Sequence, residues 1–140
     1  MSVPPASLRP MNGTVLDVDA PPRPRRQALG SAGEDAAVRR YRDLGYRPLA
    51  RNWRCPLGEI DLVVARGGML VFCEVKTRAG SGFGGGYEAV TWRKQRKLRH
   101  LAEVYLLTSG LDPSRVRFDV ASVATGGSGG PQVELFEDAF

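Results

Sequence analysis

Apolar residues alternate with others through GEIDLVVARGGMLVFCEVKTR, residues 58–78, on both sides of a Gly-Gly pair. That period of two predicts strands at roughly 59–65 and 70–77, joined by a tight hairpin turn. One face holds Ile60, Leu62, Val64, Val71, Cys73 and Val75, all apolar and so expected to face a core. The other holds Glu59, Asp61, Val63, Leu70, Phe72, Glu74 and Lys76. With Gly67 and Gly68 as central turn residues, Arg66 pairs with Met69. Asp61 then stands directly opposite Glu74, and Glu59 opposite Lys76.

Upstream, SAGEDAAVRRYRDLG predicts a helix from Ser31, with Ala37, Val38, Tyr41 and Leu44 on one face and Gly45 as its stop. Glu34 falls in the same apolar arc. It has two open readings: partner of Ser31 in a capping box, or a carboxylate aimed at the sheet. YRPLARNWR, 46–54, reads as an extended segment with Pro48 suggesting a sheet edge. A glycine-rich stretch, AGSGFGGGYE at 79–88, predicts a mobile loop. A second helix follows from about Glu88 to Thr108, its stripe made of Val90, Leu98, Leu101, Tyr105 and Thr108. RVRFDVASV, 115–123, alternates as a strand, and QVELFEDAF offers one more. Helix, three strands, helix, strand predicts an α/β fold with a mixed central sheet flanked by helices.

Residues 1–29 break this picture. They hold six of the ten prolines, include the basic run PPRPRR, and show no helical or alternating pattern. A disordered, basic, proline-rich tail is expected there, with one folded domain over 30–140. No apolar run is long enough to span a membrane, and the N-terminal residues lack the apolar core of a signal peptide, so a cytoplasmic location is expected. Cys55 and Cys73, with His100 alone to assist, make neither a disulfide framework nor a four-ligand zinc site. The net charge of +5 favours polyanionic partners.

Two carboxylates set opposite each other about 4 Å apart repel by about 4 kcal/mol at an effective dielectric of 20. Lys76 has Glu59 as its cross-strand partner, so the Asp61–Glu74 pair needs another cation. Hard oxygen ligands without thiolate or imidazole select Mg²⁺ or Mn²⁺. The competing reading is an ordinary surface ion-pair patch, which the neighbouring Val63, Leu70 and Phe72 disfavour.

An aspartate, a hairpin and then Glu-x-Lys resembles the signature of the PD-(D/E)xK nuclease superfamily. GEDAAVRRYRDLGY, RNWR, GEIDLVV, LVFCEVKTR and RFDV together resemble the YraN-like family of bacterial predicted endonucleases, which is similar to archaeal Holliday-junction resolvases. The resemblance spans about residues 30–123. It implies a restriction-endonuclease-like αβββαβ core in which Asp61 and Glu74 hold the metal. Lys76 would serve the attacking water, and Glu34 would complete the acidic cluster. The superfamily's proline before the aspartate is Ile60 here. The activity implied is metal-dependent DNA cleavage, at branched or damaged structures by analogy. A non-catalytic nucleic-acid-binding domain of the same fold is the alternative. Arg78, Arg93, Lys94, Gln95 and Lys97 are the candidate nucleic-acid contacts, with a solvated helix face as the plainer reading of the basic run. Resolvases act as dimers, which would imply a homodimer, although no interface is legible in the residues.

Overall fold

The computed structural model describes residues 25–79 and 90–140, with side chains from Ser31 onward in the first stretch. The proline-rich stretch up to residue 24 and the glycine-rich segment at 80–89 lie outside the described residues. The elements are α1 (Arg25–Asp43), β1 (Arg47–Cys55), β2 (Gly58–Arg66), β3 (Met69–Arg78), α2 (Trp92–Ser109), β4 (Arg115–Ala124) and β5 (Gln132–Phe136). They form a five-stranded sheet in the order β1-β2-β3-β4-β5. β3 and β4 run parallel, connected through α2, and the other neighbours are antiparallel. The expected α/β architecture with a mixed sheet is therefore present.

Both sheet faces are core. On the α1 side Ala37, Val38, Tyr41 and Tyr46 pack over Leu62, Val64, Val71 and Cys73. On the α2 side Leu98, Leu101 and Tyr105 pack over Val63, Leu70, Phe72 and Phe118. Thr108, expected in the α2 stripe, is exposed, and Ser109 takes the buried position instead. Leu44 is likewise largely outside the core, just beyond the end of α1.

Local signals set the ends. Gly45, at φ 91°, closes α1 with the Tyr46 N–H donating to the Tyr41 carbonyl five residues back. Thr91 caps α2 by accepting the Lys94 N–H, and Gly110 ends it in the left-handed conformation. The start of α1 differs from expectation. It begins at Arg25, so Ser31 lies inside the helix and cannot cap it. Gly33 brings α1 close to β3: an added Cβ there would run into the Thr77 side chain.

A buried charge cluster locks the α1 face. Asp119, fully enclosed on β4, receives two hydrogen bonds from Arg117 at 2.8 Å, one from the Tyr41 hydroxyl at 2.6 Å and one from the Asp138 N–H at 3.0 Å. Its four donors satisfy a charge that would otherwise be strongly destabilising in so dry a place. Burial, together with the nearby Cys73 and Asp119, pushes the Tyr41 hydroxyl far above its ordinary pKa, so it stays a proton donor. The polar positions of RFDV thus hold the sheet to α1 and to the segment after β5.

Candidate functional site

The Gly67-Gly68 turn sets the register as expected: Arg66 pairs with Met69 and Leu62 with Cys73. The ladder ends at that last pair. Beyond it the Asp61 carboxylate accepts the Val75 N–H at 2.8 Å, taking the place of a strand partner. The direct opposition of Asp61 and Glu74 therefore does not form as a ladder pair, and the two strands part to leave room between them.

A second irregularity lies at the same level. Asn52 on β1 has φ 49°, and the pairs on either side of it are Arg51 with Leu62 and Trp53 with Ile60. Arg51 reaches α1, whereas Trp53 stacks edge-on against Tyr105 of α2. Leu62 belongs to the α1-side core and Ile60 to the α2-side core. The alternation of both strands is thus reset at Asn52 and Asp61, which corrects the expectation that Ile60 and Leu62 share a face.

Glu74 is almost fully buried. Its Oε2 receives two ammonium groups, Lys94 Nζ at 3.0 Å and Lys76 Nζ at 3.5 Å. Asp61 beside it is pushed up to about 8, first by burial and then by the Glu74 charge. The Val75 N–H pulls the other way, and the Glu74 hydrogen bond and the Glu34 charge push it further up. Asp61 therefore keeps its proton to a higher pH than an ordinary aspartate does. Glu59 does not reach Lys76. It pairs with Arg54 across the β1–β2 ladder at 2.7 Å, because the parting of β2 and β3 removes its expected partner.

Glu34 is buried on α1, where its Oε1 accepts from Asn52 Nδ2 at 2.8 Å and Arg51 Nη2 at 3.5 Å. Its charge reaches Asp61 only as the smallest of the five influences there. Among the described residues no three His, Cys, Asp or Glu side chains are grouped to hold one ion. What the fold does assemble is a pair of carboxyls, Asp61 and Glu74, with two lysines.

The pair lies at one side of an open groove of about 490 Å³. Cys55, Pro56, Leu57, Leu98 and Leu101 form an apolar wall, and Arg54, Lys94 and Lys97 supply the cations. The basic run of α2 therefore divides. Lys94 and Lys97 line the groove, Arg93 is exposed but not part of its lining, and Gln95 Nε2 donates to the Val90 carbonyl. Arg78 is half-buried at the end of β3, its carbonyl receiving the Thr125 N–H and hydroxyl. Arg51 and Asn52 stood in the RNWR motif without any role at the site, and the Lys94–Glu74 contact had no signal in the sequence. Each depends on strands and a helix meeting across irregular or long-range geometry.

The residues present suit a hard divalent cation in chemistry: carboxyl oxygens, a raised proton affinity that a positive ion would relieve, and no thiolate in the pair. Among the described residues no helix is long and apolar enough to cross a membrane.

Comparison with known proteins places the same segment in one family. The model of the uncharacterised protein family UPF0102 matches residues 33–123. A UPF0102 protein of Rhodococcus jostii is 50% identical over 113 residues, covering 81% of this chain and 96% of the relative. One from a Parafrankia species is 47% identical over 114 residues, covering 81% and 97%. One from Symbiobacterium thermophilum is 48% identical over 112 residues, covering 80% and 95%.

Proposed function

The chain belongs to the uncharacterised protein family UPF0102, and we propose that it hydrolyses phosphodiester bonds in DNA with the help of Mg²⁺ or Mn²⁺. The observation that carries this reading is the buried carboxyl pair at the parting of β2 and β3, faced by Lys76 and Lys94 in a cation-rimmed groove. Asp61 and Glu74 would hold the ion. When bound, it would supply polarisation of a phosphate oxygen and a water of lowered pKa. Lys76 keeps a positive charge beside Glu74, where negative charge grows on an attacked phosphate. Lys97 and Arg54 hold flanking phosphates at the rim. Val75 fixes Asp61 through its N–H, so the backbone of β3 orients the carboxyl beside Glu74.

The test is cleavage of linear, nicked and four-way DNA with Mn²⁺ or Mg²⁺, with EDTA as control. Asp61→Ala should abolish metal-dependent cleavage while the protein stays folded. Undiminished cleavage by that variant would remove Asp61 from the chemistry. The same assay separates a second reading, a nucleic-acid-binding domain without turnover. That reading draws on Glu34 being held by Asn52 and Arg51, and it is favoured if DNA binds but no substrate is cut.

A further inference from the structure

We infer that Lys94 is a resident counter-cation of the carboxyl pair, one that a divalent ion displaces and a nucleic-acid phosphate draws away. The inference rests on the metal-dependent reading above and adds a coupling between ion and substrate that the reading does not contain.

One oxygen, Glu74 Oε2, carries both lysine contacts. The two lysines are held differently. Lys76 lies on the same strand as Glu74, two residues on, so β3 fixes their relation. Lys94 arrives on a separate element, in the first turn of α2, at the end of a long side chain with 41% of its surface exposed. It makes the shorter contact, 3.0 Å against 3.5 Å. An ion held by Asp61 and Glu74 would draw on the same carboxylate, adding a third positive group where two already crowd one oxygen. Lys94 is the one free to leave.

Where it would go is also built in. Lys97, one helical turn along, lines the same groove with the end of its side chain near Gly58, and Arg54 lines it as well. A Lys94 ammonium released from Glu74 becomes one more phosphate contact on that rim. Each ligand then helps the other: a phosphate that recruits Lys94 vacates Glu74 for the ion, and an ion on Glu74 frees Lys94 for the phosphate. Such coupling is reciprocal by thermodynamic necessity. It makes the ion bind weakly to the protein alone and more tightly beside a polyanion.

The test is calorimetric titration of Mn²⁺ into the full chain at pH 8.5, for the natural protein, Lys94→Met and Lys97→Met. Each is measured with and without a short phosphorothioate DNA, and ion uptake by the oligonucleotide itself is subtracted. Without DNA, Lys94→Met should bind Mn²⁺ about five- to tenfold more tightly than the natural protein, the worth of a half-exposed ion pair to a buried carboxylate. DNA should then tighten Mn²⁺ binding by the natural protein and by Lys97→Met, but not by Lys94→Met. Equal or weaker Mn²⁺ binding by Lys94→Met would overturn the inference and leave the metal-dependent reading standing. Absence of Mn²⁺ uptake by all three proteins, with DNA or without, would overturn both.

Discussion

Replacing Asp61 with asparagine removes its charge while keeping a carbonyl oxygen for the Val75 N–H, so the change isolates electrostatics. In the folded protein Asp61 keeps its proton to about pH 8, whereas its ordinary value is 3.8. A carboxyl whose folded pKa is raised contributes stability in full below the unfolded value and loses it as pH rises toward the folded one. Each pH unit in that window is worth about 1.4 kcal/mol. From pH 5 to pH 8 the natural protein should therefore lose on the order of 4 kcal/mol relative to Asp61→Asn. For a domain of this size that is a melting-temperature gap on the order of 10 °C. The assay is urea unfolding followed by fluorescence of Trp53 and Trp92, in EDTA, at several pH values, with the two proteins compared at each. Using the difference cancels the titrating groups that do not act on Asp61. A gap that stays constant from pH 5 to pH 8 would refute the claim that Asp61 is held protonated by burial and by Glu74. Saturating Mn²⁺ at pH 8 should narrow the gap, by stabilising only the protein that retains the aspartate.

Further expectations concern the frame around the site. Gly33→Ala should destabilise by about 1–2 kcal/mol, although alanine favours helices, because the new methyl meets Thr77 Oγ1, Cβ and Cγ2 together. Adding Thr77→Ala should recover part of that loss in thermal unfolding. Arg117→Met should cost about 3–5 kcal/mol by leaving Asp119 buried beside an empty place, and Tyr41→Phe about 1–2 kcal/mol, both read from denaturant midpoints. Lys97→Met should lower the slope of log binding constant against log salt by about one in DNA titrations; an unchanged slope would take Lys97 off the phosphate path.

Much of the frame was legible because it follows short-range rules. The Gly67-Gly68 turn dictated the β2–β3 register down to Leu62 and Cys73, and period-two patterning located β2, β3 and β4 closely. Asp61 and Glu74 do come near enough for the Glu74 charge to act on Asp61, although not as the directly opposed ladder pair that the turn implied. The ladder's early end did not show. Nothing in the letters announces that a carboxylate will replace a strand partner, or that Asn52 will adopt positive φ and reset the alternation. For Lys94 the sequence offered a candidate phosphate contact and gave no sign of Glu74. Its contact with Glu74 depends on where a parallel crossover lays α2, a distance no local pattern encodes. Asp119 was legible only as one position of an alternating strand. Only the docking of α1 through Tyr41, 78 residues away, makes it an interior charge.

The sheet is open, and its two margins are β1 and β5. An open margin is a template for joining another strand, in aggregation or in assembly through a continuous sheet. β1 carries several hindrances to that. Pro48 lacks an amide hydrogen, the register shifts between Pro48 and Ala50, and Arg47 and Arg54 present charge. β5 is only five residues long, with Glu134 exposed in its middle. Strand-to-strand fibre growth is disfavoured at both margins. Any second copy of this chain would be expected to approach through helices or connecting segments, leaving the groove between Leu57 and Lys97 in each copy to be oriented by that contact.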